Sequence, residues 1–210
     1  MSSDKNICEN SIINTLNNNN DNVLIFDIET TGLPERKGFN NYYEPCETKY
    51  YNNSRMIELG YIICSNSGIL IKEVDDLIKP DNFSINNSNI HGITNVMANG
   101  FGKDINIVLN DLNNDLKNVN TIIAHNINFD YNILLSECYR YLDSEHSIIT
   151  DLKSKEQICT MKMGKDFLNV YKYPKLVDLH KNLFNRDIKQ EHRALSDVKL
   201  CAECYYRMKI

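Results

Sequence analysis

The sequence lacks long apolar runs, and this absence limits the classes of protein to which it can belong. No stretch is long and apolar enough to span a membrane, and the N-terminal segment has no apolar core of the signal-peptide type. The seven cysteines are an odd number without framework spacing, so we expect reduced thiols. These features predict an intracellular protein, cytoplasmic or nuclear, with no membrane partner.

Positive charge is also scarce. The formal net charge is −5, which argues against a general nucleic-acid coat protein. The charge is uneven, because residues 1–150 hold 10 Lys and Arg against 20 Asp and Glu, whereas residues 151–210 hold 13 against 8. A basic C-terminal third is suited to one wall of a groove for a polyanion, although a solvated face is the more common explanation.

The Asn-rich start of the chain sets the domain organisation. The tract at 17–20 is four asparagines, which cannot pack a core, so residues 1–21 are predicted to be a flexible tail; a coding bias towards Asn is the alternative explanation of the tract. Residues 22–210 show no internal repeat or second boundary and have the length of a single domain.

The order of apolar patterns predicts an α/β layered fold with a mixed sheet. Three strand-like segments come first, followed by helix, strand, helix, strand and helix. The strands are expected near 23–30, 55–64, 69–80, 119–125 and 157–163, and the helices at 104–118, 126–142, 174–184 and 192–209. Residues 34–54 read as a polar loop, and Thr94 as a helix cap.

Two acids stand in the first strand, within "VLIFDIETTGLP". Strand side chains alternate, so Asp27 and Glu29 point to the same side. Like charges on one face of a buried strand cost several kcal/mol unless something neutralises them. The pair therefore predicts a cationic ligand.

Two further acids occupy related places. Asp130 lies in the first turn of a helix that follows an apolar strand, and Asp197 lies five residues after His192 on an inward-facing side. A single Asp at a helix start is more often a dipole partner, but acids at such positions of an open α/β sheet converge in one cleft. Carboxylates without cysteine favour Mg²⁺ or Mn²⁺ over zinc, so we predict two divalent metal ions.

The segments "FDIETTGLP", "HNINFD" and "HRALSD" resemble, in this order, the three motifs of the DnaQ-like (DEDDh) 3′–5′ exonucleases. The resemblance runs from about Val23 to Met208, with "HGIT" at 91–94 as a further similarity. It implies an RNase H-like fold with a mixed five-stranded sheet, three antiparallel strands and then two parallel ones, flanked by helices. Residues 22–210 would then form a single exonuclease domain.

The resemblance also implies roles for the acids. Asp27, Glu29 and Asp197 would hold the first metal ion, Asp27 would bridge to a second, and Asp130 would act there mainly through water. His192 would be the general base that takes a proton from the attacking water, a role suited to a neutral imidazole. Hydrolysis of the terminal phosphodiester would release a 5′-mononucleotide.

The residues that the resemblance places against the substrate lie in or beside the motifs. Leu33 is expected to act as an apolar wedge against the terminal bases, next to a threonine backbone. For His91, Asn126 and Phe129, a structural turn, a helix cap and core packing respectively are open alternatives. The full set of expected substrate contacts is Thr30, Thr31, Leu33, His91, Asn126 and Phe129.

Two further features each have a functional and a structural interpretation. Four tyrosines and several basic residues within 35–55 are suited to stacking on single-stranded bases, whereas the alternative is a small hairpin whose tyrosines pack on the body. Cys201 and Cys204 lie one turn apart in a predicted helix, so core packing is favoured over a zinc or redox site.

The sequence thus predicts a metal-dependent 3′–5′ exonuclease of single-stranded or frayed nucleic acid, with DNA favoured. The alternatives are an exoribonuclease and a catalytically inactive module that binds nucleic acid beside a polymerase. The complete set of acids with His192 argues against the inactive module. A DNA polymerase is a candidate partner because proofreading would require one, and both a monomer and a homodimer are compatible with the sequence.

Overall fold

A computed structural model describes residues 22–38 and 41–209, so the predicted tail at 1–21 lies outside the described residues. The strands are β1 (Val23–Thr30), β2 (Arg36–Gly38), β3 (Asn41–Tyr42), β4 (Met56–Cys64), β5 (Leu70–Leu77), β6 (Thr121–Ala124) and β7 (Glu156–Cys159). The main sheet has the order β5-β4-β1-β6-β7, and β2 and β3 form a separate two-stranded sheet.

The main sheet is mixed, as the sequence predicts. β4 pairs antiparallel with both β1 and β5, whereas β6 pairs parallel with both β1 and β7. This arrangement is three antiparallel strands followed by two parallel ones, and it confirms the predicted RNase H-like architecture.

Eight α-helices in the described part of the chain flank this sheet. They are α1 (Ser88–His91), α2 (Asn95–Phe101), α3 (Ile105–Leu116), α4 (Ile127–Tyr141), α5 (Ser147–Ser154), α6 (Thr160–Phe167), α7 (Leu176–Phe184) and α8 (Ala194–Met208). Thr94 caps α2 as predicted, because its hydroxyl accepts a hydrogen bond from the Met97 amide. In the part of the chain that is described, no helix has both the length and the apolar character needed to cross a membrane.

The structure differs from the sequence prediction at three places. The short helices α1, which ends at His91, and α5 were not predicted, and the strand expected near 157–163 ends at Cys159. Thr160 begins α6 instead. Each of these elements is eight residues or shorter, so few apolar residues are available to reveal its period.

The first strand is buried on both faces. Leu24, Phe26 and Ile28 belong to the core beneath α3 and α4, whereas Val23 and Ile25 belong to the core beneath α7 and α8. This double burial fixes β1 at the centre of the molecule, as its unbroken apolar run predicts.

A glycine sets the position of α8 against the sheet. A Cβ atom added to Gly60 in β4 would lie 2.5 Å from the Leu195 amide nitrogen and 2.6 Å from the Ala194 carbonyl carbon. Only glycine permits so close an approach, so the start of α8 rests directly on β4. The buried thiols of Cys201 and Cys204 pack along this helix, which confirms the structural interpretation.

The tyrosine-rich segment forms the hairpin β2–β3 followed by a 3₁₀ helix, Thr48–Tyr51. Tyr51 is fully buried and its hydroxyl donates to the Tyr43 carbonyl oxygen at 2.5 Å. The rings of Tyr43 and Tyr50 stack with centroids 3.5 Å apart. Packing on the body therefore accounts for three of the four tyrosines, and Tyr42 remains half-buried beside Arg36.

Candidate active site

The fold brings the four predicted acids to one end of β1. Asp27 and Glu29 lie near the carboxyl end of this strand, while Asp130 and Asp197 lie in the first turns of α4 and α8. The Ile28 amide, between the two strand acids, donates to Asp130 Oδ1 at 3.2 Å. This contact joins α4 to β1 and holds Asp130 beside the strand pair.

Burial makes ionisation of these acids unfavourable. Burial raises the pKa of Asp27 well above its usual range, and the charges of Asp197 and Glu58 raise it further. Burial likewise raises the pKa of Asp130, with the charge of Asp27 as the next cause. The pKa of Glu29 is raised from 4.5 to about 9 by burial and then by Asp27. A bound cation would reverse these shifts because it favours the charged forms.

The candidate base lies next to two of the acids. His192 is exposed, has a positive φ of 51° and precedes α8. Ligand atoms of Glu29, His192 and Asp197 all lie within 4.8 Å of one another. The sequence-predicted histidine and these two acids are therefore neighbours in the structure.

The Asp197 carboxylate has one oxygen satisfied and one without a partner. Asp197 Oδ2 accepts a hydrogen bond from Gln190 Nε2 at 2.6 Å. Its other oxygen, Oδ1, is buried and accepts no hydrogen bond from the residues that the structure describes. A buried carboxylate oxygen in this state, among other acids, fits a hard divalent cation. The residues present thus match the predicted Mg²⁺ or Mn²⁺.

The sequence interpretation missed an ion pair at the edge of this site. Glu58 on β4 lies directly opposite Glu29, is fully buried, and accepts from Arg193 Nε at 2.9 Å and from the Ala194 amide at 2.8 Å. It therefore fixes the residues that follow His192 onto the sheet. An acid inside the apolar strand "RMIELG" is the same signal that identified Asp27, whereas no sequence signal marks Gln190.

In the turn after β1, the threonine hydroxyls form hydrogen bonds with nearby backbone groups. Thr31 Oγ1 accepts from the Arg55 amide at 2.9 Å and donates to the Asn53 carbonyl oxygen at 3.2 Å. Thr30 Oγ1 donates to the Gly32 carbonyl oxygen at 2.7 Å. The Leu33 side chain is 65% exposed and is available to contact another molecule.

The three ambiguous residues have different environments. His91 is buried, and its Nδ1 accepts from the Ile93 amide at 3.1 Å, so the ring proton is on Nε2, which has no partner among the described residues. Asn126 occupies the N-cap position of α4 with φ 73°, and its carbonyl oxygen accepts from the Phe129 amide at 2.9 Å, whereas its side chain makes no capping hydrogen bond. Phe129 is half-buried and packs against the main core, as the packing alternative predicts.

A cleft of about 360 Å³ opens onto the acids and is lined by Asp27, Asp197, Gln190 and His125. The His125 ring contacts Thr160 Oγ1 at 3.0 Å and the Pro174 carbonyl oxygen at 3.1 Å. Burial lowers its pKa to about 4, so the ring is neutral near pH 7. This histidine supports the cleft wall.

The mixed sheet and the acids at its centre define the class of protein, a nuclease with an RNase H-like fold. A family model described as Exonuclease, of the RNase T type, matches residues 24–205, and the chain therefore belongs to this exonuclease family. The resemblance to the DnaQ-like exonucleases is thereby confirmed. No curated protein sequence matches the chain.

Solved structures agree with this fold. Pop2p of S. pombe, in its Mg²⁺- and Mn²⁺-bound form, has a TM-score of 0.68 at 18% identity, covering 95% of this chain and 86% of its own. Exonuclease X bound to 5′-overhanging duplex DNA has a TM-score of 0.57 at 20% identity. The match covers 89% of this chain and 90% of Exonuclease X. E. coli Exonuclease I bound to a dT13 oligonucleotide has a TM-score of 0.63 at 15% identity, covering 90% of this chain but only 41% of its own.

Proposed function

We propose that this protein is a metal-dependent 3′–5′ exonuclease of single-stranded or frayed nucleic acid. It hydrolyses the 3′-terminal phosphodiester and releases 5′-mononucleotides, with DNA as the favoured substrate. The structures of Exonuclease X and Exonuclease I contain DNA, which supports this preference. The DEDDh set, Asp27, Glu29, Asp130, His192 and Asp197, forms the catalytic site.

The observation that carries this proposal is the convergence of two buried and two half-buried acids without cationic partners. Among the described residues, none of the four acids forms an ion pair, and Asp197 Oδ1 has no hydrogen-bond partner. Such a cluster is unfavourable in its charged form, so the acids either retain protons or bind a ligand of positive charge. An exposed histidine beside it supplies a proton acceptor.

Two divalent ions, Mg²⁺ or Mn²⁺, fit this cluster. Asp27, Glu29 and Asp197 would hold the first ion. Asp27 would also hold the second, where Asp130 would act mainly through water. When bound, the two ions stabilise the charge that develops on the attacking and leaving oxygens of the phosphoryl displacement. The metal-bound structure of Pop2p supports this cofactor class.

The protein side chains perform the remaining steps. His192 takes a proton from the attacking water, which forms the new bond to phosphorus as the bond to the 3′-oxygen of the preceding nucleotide breaks. The bond between Glu58 and Arg193 holds the segment that carries the base. Leu33 wedges against the terminal base, beside the backbone of Thr30 and Thr31.

The remaining contacts select the end of the strand. The Nε2–H of His91 is a buried donor without a partner among the described residues, and it lines the pocket for the terminal nucleotide. Asn126 orients the second motif, while Phe129 supports the cleft from the core side.

The test offers matched 5′-labelled DNA and RNA single strands to the purified protein with Mg²⁺, Mn²⁺ or EDTA. We expect stepwise shortening from the 3′ end that EDTA abolishes, faster for DNA. Asp27→Asn and His192→Ala should both stop it, whereas Asp111→Asn, at an exposed acid of α3, should have no effect.

Other outcomes separate the alternatives. Faster shortening of RNA would make the protein an exoribonuclease. Binding without metal-dependent shortening of either strand would indicate an inactive binding module, and the search would turn to a polymerase partner.

A further inference from the structure

A second cavity adjoins the cleft that holds the acids. It has a volume of about 270 Å³, and Asn126, Met161 and Tyr173 line both it and the acid cleft. The two cavities are therefore neighbours that share part of one wall. The second cavity extends away from the acids to Arg36, Tyr42 and Lys162.

This extension lies on the opposite side of β1 from the expected terminal-nucleotide pocket. It is bounded by Asn126, which follows β6, and by Cys159, which ends β7. His91 lies on the β4 side instead, where the charges of Glu58 and Arg193 act on its ring. A strand whose 3′ terminus occupies the His91 side and whose scissile phosphate meets the acids therefore continues towards the second cavity.

The cavity combines accessible aromatic rings with positive charge. Tyr42 is half-buried and Tyr173 is 47% exposed, so both rings are open to contact. Arg36 lies 5.4 Å from the Tyr42 ring centroid, and Lys165 lies 5.0 Å from that of Tyr173. Aromatic faces that alternate with cations are the recognition chemistry of single-stranded nucleic acid.

One wall of the cavity also favours phosphate. Cys159, Met161 and Lys162 on this wall belong to the N-cap and first turn of the eight-residue helix α6. The Cys159 side chain makes no capping hydrogen bond, and a helix N-terminus favours anions. Lys162 is exposed and adds a full positive charge to this wall.

We propose that the second cavity binds the single-stranded nucleic acid on the 5′ side of the scissile bond. Tyr42 and Tyr173 stack on bases there, and Arg36 and Lys162 contact phosphates. This assignment rests on the exonuclease function proposed above. It assigns Tyr42 of the hairpin β2–β3 to substrate binding, whereas the neighbouring tyrosines pack on the body of the protein.

The test compares a dinucleotide, which spans only the scissile bond, with a single-stranded octanucleotide, in DNA and RNA versions. For the octanucleotide, Tyr42→Ala and Tyr173→Ala should each raise KM about tenfold, the effect of losing one stacked base. For Tyr42→Ala, whose ring lines the second cavity and not the acid cleft, the dinucleotide should show a change of less than about twofold in KM. Lys162→Gln should reduce the slope of log affinity for the octanucleotide against log salt by about 0.7.

The matched control is Tyr171→Ala. Tyr171 lies two residues before Tyr173, its relative exposure is 101%, and it does not line the cavity. This variant should leave KM for both substrates unchanged. If the cavity variants alter KM for both lengths equally, or for neither, while the wild-type protein still shortens the octanucleotide, the cavity is not a binding site and the exonuclease function stands.

A separate measurement distinguishes failure of the proposed exonuclease function from failure of the proposed binding site. If the wild-type protein hydrolyses neither substrate with Mg²⁺ or Mn²⁺, fluorescence anisotropy of a labelled octanucleotide gives the decisive measurement. Binding that the double variant Tyr42→Ala/Tyr173→Ala weakens at least about tenfold supports the cavity site without catalysis. Binding that this double variant does not weaken overturns it.

Discussion

Two groups of buried acids in this protein differ in what neutralises them. Glu137 is 1% exposed and accepts from Arg55 Nε at 2.8 Å, so its charge is balanced within the fold. Asp27 and Asp130 have no ion pair among the described residues, and burial raises the pKa of both. The first arrangement is complete without a ligand, whereas the second is not.

The difference separates structural acids from functional ones on physical grounds. A buried carboxylate with a well-placed arginine is compatible with stability, and its loss harms the fold. A buried carboxylate with only other carboxylates around it destabilises the folded chain until a cation binds. The second kind marks the site where ligand binding and stability are linked.

The largest expected effect comes from removing a charge of the unpaired group. Asp27→Asn should lower the rate of hydrolysis by at least about a thousandfold, because a metal ligand that supplies several kcal/mol of transition-state stabilisation is lost. The same change should raise the free energy of unfolding in EDTA, most at alkaline pH, since it removes a carboxyl whose ionisation is unfavourable in the folded chain. Shortening of a 5′-labelled strand and urea unfolding measure the two effects.

Asp111→Asn, at an exposed acid, is the control and should change neither quantity. An Asp27→Asn protein that is both inactive and less stable in EDTA would indicate general damage to the fold. Near-normal turnover would remove Asp27 from the catalytic set.

The paired group should respond in the opposite sense. Glu137→Gln should lower the free energy of unfolding by about 3 kcal/mol, because it leaves the Arg55 guanidinium buried without its counter-charge. Turnover by the folded protein should remain close to wild type, since Glu137 lies outside the cleft. The double change Arg55→Met/Glu137→Leu should recover only part of the lost stability, because the Met56 amide and Arg140 also contact Glu137. Full recovery would show that the Arg55 pair accounts for the whole effect.

Glu58 has features of both groups, because it is paired with Arg193 and also lies opposite Glu29 of the unpaired acids. Arg193→Gln should lower kcat about 10- to 100-fold with little change in KM, since the segment that holds His192 loses its anchor. Arg193→Lys should recover only part of the loss, because an ammonium group does not reproduce the guanidinium fork.

The matched control for Arg193 is another ion pair that involves α8. Lys199 Nζ lies 3.0 Å from Glu73 Oε2 and both side chains are largely exposed, so Lys199→Gln should leave kcat unchanged. Equal losses of kcat in Arg193→Gln and Lys199→Gln would show that α8 responds to any lost ion pair.

The acids themselves could be predicted because their signals are local. Asp27 and Glu29 interrupt an apolar run, and Asp130 and Asp197 fall in the first turns of patterned helices, so strand alternation and helix period suffice to place them. The mixed sheet followed from the order of these patterns, and the motif resemblance supplied the five-stranded arrangement.

The parts that escaped prediction depend on long-range pairing. The bond between Glu58 and Arg193 joins residues 135 positions apart, and it depends on the register of β4 against β1 and on the close approach at Gly60. The second cavity likewise unites the hairpin β2–β3 with the start of α6 and the loop before α7. Neither arrangement leaves a periodic pattern in the sequence.

The last prediction concerns the pH dependence of stability without metal. Burial raises the pKa of Glu29 from 4.5 to about 9, so between these values the folded chain retains a proton that the unfolded chain has released. Stability in EDTA should therefore fall as pH rises from about 5 to 9, by at most about 1.4 kcal/mol per pH unit for this proton. Urea unfolding of the wild type and Glu29→Gln measures the difference, and the variant should show the shallower slope. Saturating Mg²⁺ or Mn²⁺ should flatten the wild-type curve of stability against pH, because the bound ions favour the ionised acids. In EDTA, a wild-type stability that rises with pH would contradict the unpaired state of Glu29.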